Sequence, residues 1–251
     1  MNATLTAAIV LACLLAAVWI GMQLRRFLPG VHLSPDSKDT VKLAMGLVAT
    51  MSALLLGLLV SSAKTSYDST RSQVMQRAAK FALLGRVLAI YGPPAAGARG
   101  ELHALIEEAT RRMWPDEPAI RASAKPGPEV GNAFYLSLLR LEPRDDVERT
   151  LKAQAMSLTA ELGQLQSLMQ AESTTAISKP MLIMVVLWLV MIFLSFSLIA
   201  SPNATATFAL IASAFCVAGA IFLILELDRP FGGLIRISSE PMLNVLNQLG
   251  K

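Results

Sequence analysis

Apolar positions along this chain gather into four runs, Ala3 to Met22, Val41 to Ser62, Met181 to Ala200 and Thr205 to Leu227. Each is close to the ~20 residues a helix needs to cross a ~30 Å hydrocarbon core. The rest of the chain is arranged around the second run. It passes, with no Pro and no turn signal, into the polar stretch Lys64-Thr65-Ser66-Tyr67-Asp68-Ser69-Thr70-Arg71. The helical pattern then continues through Phe81, Leu84 and Leu88 to Tyr91, where Gly92-Pro93-Pro94 stops it. One continuous helix from Val41 to Tyr91 is predicted. Within its span Ala49, Ala53, Gly57 and Ser61 recur every four residues and form a small-residue face, beside a bulky ridge of Met51, Leu55 and Leu59. Such a ridge either packs inside a helix bundle or lines a pore.

The other elements follow from the same periodicities. Ala8, Ala12 and Ala16 make a second small-residue column, which predicts close packing of the first span against a neighbour. Gln23 to Thr40, broken by Pro29, Gly30 and Pro35, reads as a loop, and Glu101 to Trp114 as an amphipathic helix with Leu102, Leu105 and Ile106 on one face. Pro115, Pro118, Pro126 and Pro128 make the next stretch a loop, in which Asp116 and Glu117 read as solvated acids rather than a cation site. From Arg144 to Ser173 the residues Leu151, Ala155, Leu158, Leu162, Leu165 and Met169 form a seam of alternating four and three spacing. The seam serves either self-association or packing against the helix that extends from the second span. Only Ser201-Pro202-Asn203-Ala204 joins the last two spans, which predicts a tight antiparallel hairpin, and Ser239-Glu240-Pro241 starts a short terminal helix.

Composition narrows the class. With 54% hydrophobic residues among 251 and a mean hydropathy of +0.53, the expected fold is all-α, a four-span helical membrane protein with a helical cytoplasmic region. Its expected parts are a first transmembrane hairpin (1–62), the helical region (63–179), a second transmembrane hairpin (180–228) and a tail (229–251). The first span has no Lys or Arg before it, so it reads as a retained helix rather than a cleaved signal peptide. Arg25 and Arg26 favour a cytoplasmic first loop. They are outvoted by Lys64, Arg71, Arg77, Lys80, Lys179, Arg229 and Arg236, which put the central region and both termini inside. The net charge of +4 is explained by this topology, and no nucleic-acid partner is expected. Cys13 and Cys216 both fall inside spans and read as small packing residues.

Catalytic chemistry is not indicated. The two histidines, His32 and His103, have no Cys, His or acid at ligand spacing, and the chain carries no phosphate loop, dinucleotide glycine cluster or nucleophile elbow. No enzyme activity, metal or cofactor is expected. The fourth span ends in Glu226-Leu227-Asp228-Arg229-Pro230-Phe231-Gly232-Gly233. Its acids form either a local ion pair, with Arg229 or Arg71, or a polar site at the membrane mouth.

Two stretches resemble the bestrophin family of ion channels. Leu54-Leu55-Leu56-Gly57-Leu58-Leu59-Val60, followed by Thr65-Ser66-Tyr67-Asp68 and Arg71, is similar to the Leu-rich second span and polar exit of bacterial bestrophins. Glu226-Leu227-Asp228-Arg229-Pro230-Phe231-Gly232 resembles the acidic Pro-Phe-Gly signature that follows the family's last span. Ser69, Thr70, Ser72 and Gln73 stand where bestrophins carry tryptophans and Glu, and Gly233-Leu234-Ile235-Arg236-Ile237 replaces the acidic run that binds calcium in animal bestrophins, so no calcium site is expected. The resemblance implies a homopentamer in a bacterial inner membrane, conducting inorganic ions through a central pore lined by the second span. On that analogy the pore-lining residues are Met51, Leu55, Leu59, Ser62 and Lys64, with Lys64 favouring anions if it faces the pore. The alternative is a non-conducting membrane-anchored helical interaction protein on the same scaffold.

Overall fold

In the computed structural model, residues 3–27, 35–115, 130–172, 179–200 and 203–249 are described, and all of their regular structure is helical. The helices are α1 (Ala3–Phe27), α2 (Pro35–Tyr91), α3 (Ala96–Met113), α4 (Val130–Leu139), α5 (Asp146–Glu172), α6 (Lys179–Ile199), α7 (Ala204–Leu227) and α8 (Glu240–Leu249). A 3₁₀ turn, Pro93–Ala95, precedes α3. Four of these helices, α1, α2, α6 and α7, are long and apolar enough to cross a membrane. His32, Asp116 and Glu117 lie outside the described residues.

The expected long helix forms without interruption. At 57 residues it is ~85 Å long, far more than a bilayer core needs. It begins at Pro35, six residues before the apolar run, because Pro is tolerated in a first turn where its missing N–H would have had no partner. α1 likewise runs on to Phe27. The loop expected over Gln23 to Thr40 is therefore shorter than its Pro and Gly content suggests. At the other end Gly92 adopts φ +92°, a backbone conformation that L side chains rarely take, and turns the chain into the 3₁₀ segment.

The chain divides into two compact units. Met1–Tyr67 with Thr175–Arg229 forms one, and Asp68–Thr174 with Pro230–Lys251 the other. In the first unit α1 is the hub. It packs extensively along both α6 and α7, whereas α6 and α7 scarcely touch one another. The tight hairpin expected of the last two spans is thus joined mainly through α1. The face α1 buries is Ala3, Ala7, Val10, Leu14, Ala17, Val18 and Gly21, while Ala8, Ala12 and Ala16 stay exposed on the single chain. The small residues that meet a neighbour within the chain are Ala3, Ala7, Ala17 and Gly21, interleaved with Val10 and Leu14. Cys13 and Cys216 are free and exposed rather than packed inside the chain.

α1 approaches α6 closely at Gly21. A Cβ there would collide with the Ser197 hydroxyl and lie 2.8 Å from the Leu194 carbonyl oxygen. Ser197 donates its hydroxyl to that same carbonyl at 2.9 Å, so neither group is free to withdraw.

In the second unit the lower half of α2 supplies a buried face of Val74, Ala78, Phe81, Leu84, Leu88 and Tyr91. α3 packs against α4 and α8, and α4 against α5. The α5 seam is buried at Ala155, Leu158 and Leu162. Lys80 on α2 pairs with Glu161 on α5, an interaction that holds the Glu161 carboxyl below its ordinary range through hydrogen bonding and charge. The seam is therefore used within the chain. Helix α4 has no counterpart in the expected elements. Lys152 of α5 holds its end by donating to the carbonyls of Leu139 (2.9 Å) and Leu141 (2.7 Å).

Replacing Gly21 with Ala should lower the stability of the detergent-solubilised protein by about 1–3 kcal/mol, the usual cost of an overpacked seam. Ala8→Leu, on the bare face of the same helix, should leave the melting temperature unchanged. Thermal denaturation of the two variants checks both.

Candidate functional site

The apolar half of α2 has two unlike faces. One packs into its own unit: Ser52, Leu59 and Ala63 are buried, and Leu55 and Leu56 lie against the same cluster, which contains Val10 and Leu14 of α1, Val185 and Leu189 of α6, and Ile221 and Ile224 of α7. The other face carries Leu47, Met51, Leu54 and Leu58, all exposed and spaced four, three and four apart so that they stand in one row. Only 11% of the most apolar window of α2 is buried within the chain, against 33% for α1 and α6 and 22% for α7. Of the four spans, α2 is the least buried within its own subunit.

That division sorts the expected pore residues. Met51, Ser62 and Lys64 are exposed, Leu55 is half-buried, and Leu59, at 3% exposure, belongs to the internal core. The bulky ridge of Met51, Leu55 and Leu59 is therefore split. A strict spacing of four drifts around a helix of 3.6 residues per turn, so Leu59 ends about 80° from Met51. Leu54 and Leu58, at 71% and 58% exposure, occupy the bare face. They sit in the same Leu-rich run, where periodicity alone does not choose between neighbouring rows.

Past the span, the Lys64 ammonium stands 5.7 Å from the centre of the Tyr67 ring, one turn along the same helix. Tyr67 is half-buried, and Asp68 and Arg71 are exposed.

The second motif closes α7 and continues into the other unit. In the first unit Glu226 is buried at 3% exposure on the last turn of α7, and Asp228 caps that helix, donating its backbone N–H to the Ile224 carbonyl at 3.2 Å. Arg229 donates its N–H to the Glu226 carbonyl at 3.1 Å. The Asp228 Oδ1 atom is buried and has no hydrogen-bond partner among the described residues. Burial pushes this carboxyl above its ordinary range, and the charge of Arg229 offsets only part of the effect.

In the second unit, Pro230 accepts the backbone N–H of Ile237 at 2.8 Å, closing a loop in which Gly233 takes φ +84°. Phe231 meets Trp114 edge to face, with centroids 5.3 Å apart at 90°, and Trp114 donates its indole N–H to the Ile237 carbonyl at 2.9 Å. Gly232 is exposed. The Pro-Phe-Gly segment thus latches the C-terminal tail onto the end of α3. Trp114 is its missing partner: a buried Trp needs an acceptor for its N–H, which is a signal, but nothing in the sequence pairs residues so far apart.

Residues 12–242 match the family model described as Bestrophin-like domain. Among solved structures, a bacterial bestrophin homolog from Klebsiella pneumoniae, in a single-substitution form, matches with a TM-score of 0.70 at 16% identity, over 98% of this chain and 100% of that one. The same homolog, in a structure phased with zinc, matches with a TM-score of 0.64 at 17% identity, over 100% of this chain and 99% of that one. No curated protein matches.

Because burial dominates at Asp228, its ionised form is disfavoured in the folded protein. A carboxyl whose folded pKa is raised penalises stability above that pKa, and the penalty vanishes below its unfolded value. Asp228→Asn should therefore melt higher than the parent at neutral pH and match it below about pH 4, the ordinary range for Asp. A lower melting temperature at neutral pH would mean that the carboxylate is held by an ion pair.

Proposed function

The chain belongs to the bestrophin-like family, and on that premise we propose that this integral membrane protein is an ion channel, passively conducting inorganic ions through a central pore lined by α2 in a homopentamer. The observation that carries the proposal is the bare apolar face of α2. A helix with a tenth of its apolar window buried in its own subunit, and a row of large side chains facing away from that subunit, offers a face that lipid or other copies of the chain would cover, and membership of the family favours other copies. A symmetric ring of α2 helices supplies them: the small residues Ala53 and Gly57, both exposed, allow neighbouring backbones to come close, and the row opposite the internal core faces the axis.

On this reading the narrowest part of the pore is built from Met51, Leu54 and Leu58. Met51 keeps its expected role, whereas Leu55 and Leu59 support the wall from behind. Rings of apolar side chains resist ion passage by dewetting, so this neck controls conductance more than charge selectivity. Ser62 and Lys64 lie at its far end, and Lys64 in five copies would favour anions where it faces the axis. The Lys and Arg balance of the loops supports a cytoplasmic position for both termini, and the likeness to bacterial bestrophins supports a bacterial inner membrane.

The test is subunit number in detergent together with ion flux after reconstitution. A pentamer with flux is expected; a monomer or dimer would overturn the proposal, and a pentamer without flux would favour the non-conducting scaffold. Substitution separates the two rows of α2. Leu58→Ala should raise single-channel conductance with little change in stability. Leu59→Ala should leave conductance near the parent value while costing about 2–5 kcal/mol of stability. The reverse pattern would return the neck to the row through Leu59.

A further inference from the structure

The second unit contains a cavity of about 530 Å³, within the size range of small-molecule sites. Its walls come from the lower half of α2, from α3, α4 and α5, and from the loop that carries Phe231. Most of the lining is apolar, with the rings of Phe81, Phe134 and Phe231 and the side chain of Leu162 among it. One lining residue does not belong in such surroundings. Arg77 is 9% exposed, and among the described residues its Nε has no hydrogen-bond partner.

The charges around Arg77 leave it uncompensated. Among the described residues Glu108 is the only acid that lines the cavity, and it is already engaged by Arg111 and by Arg112, whose Nε lies 2.8 Å from Oε1. Among the described residues no carboxylate is within ion-pair distance of Arg77. The face of the Phe81 ring, 5.6 Å away, is its nearest favourable contact. Burial and the neighbouring charge of Arg112 lower its pKa to about 10. A buried, unpaired guanidinium opposes folding unless something anionic joins it.

We propose that this cavity is a binding site for a small amphipathic carboxylate, its anionic head on the Arg77 guanidinium and its apolar body among Phe81, Phe134 and Phe231. A guanidinium binds a carboxylate through paired N–H···O bonds, which a neutral group does not reproduce. Two open positions support the assignment of unclaimed space: a Cβ added at Gly131 or Gly163, both lining residues, would meet nothing within 4 Å. The site stands apart from conduction, because binding can be measured without ion flux.

The experiment is calorimetric titration of the full-length protein in phosphatidylcholine nanodiscs with 2-naphthoate and, separately, with its neutral counterpart 2-naphthalenemethanol. Saturable binding of naphthoate, at least tenfold tighter than the alcohol, is expected. Arg77→Gln should weaken naphthoate at least tenfold and leave the alcohol unchanged, and Arg77→Lys, which keeps the charge, should recover part of the loss. No binding of naphthoate, equal binding of acid and alcohol, or full retention in Arg77→Gln would each overturn the proposal. Should Arg77→Gln fail to fold, the acid-to-alcohol ratio in the parent and the Arg77→Lys titration decide it. Competition by decanoate would assign the natural ligand to acyl chains from lipid, and its failure to a compact soluble acid; both outcomes require the carboxylate site.

Discussion

In hydrocarbon a backbone amide has no water to bond, so a chain this apolar crosses the membrane only as helices that satisfy their own hydrogen bonds. The second of the four spans obeys this constraint and continues beyond it. From Pro35 to Tyr91 nothing interrupts the hydrogen-bond ladder, and the same helix contributes Leu59 to the core of one unit and Phe81, Leu84 and Leu88 to the core of the other. The helix ends where it must, at a glycine in a conformation other residues avoid, followed by two prolines. Each unit takes part of its core from a segment of this one element.

Within the membrane unit, packing is uneven. α1 meets both α6 and α7, while α2 is attached along a stripe through Ser52, Leu59 and Ala63. Burial of apolar surface from water does not drive helices together inside a bilayer, so what holds them is close fit. The fit between α1 and α6 depends on Gly21, where even a methyl group finds no room. α2 offers the opposite case, a helix with its bulky row unmatched inside the subunit. That bare face is the observation on which the proposed ring of subunits rests.

The two sequence motifs that drew attention do different physical work. Around Tyr67 the side chains are largely solvent-facing, and the local contact is a cation over a ring. The second motif does its work by position: Asp228 and Arg229 finish α7, and Pro230 and Phe231 fasten the tail beside Trp114. Phe231 also lines the cavity that holds Arg77. In the second unit this acidic segment thus acts through an aromatic ring and a backbone carbonyl.

How far the sequence alone reached follows from the range of each interaction. The four spans, the unbroken α2, the amphipathic α3 and the short terminal helix were legible because hydropathy, periodicity, Pro and Gly act over neighbouring residues. The family was legible because its two motifs are local strings. Three features were decided by tertiary structure. Which row of α2 is bare depends on where α1, α6 and α7 lie, and Leu58 and Leu59 are equally apolar in sequence. Trp114 finds Phe231 and Ile237 across more than a hundred residues. Arg77 resembles any other basic residue after a span, and only the helices that enclose it turn it into a buried charge facing an apolar cavity.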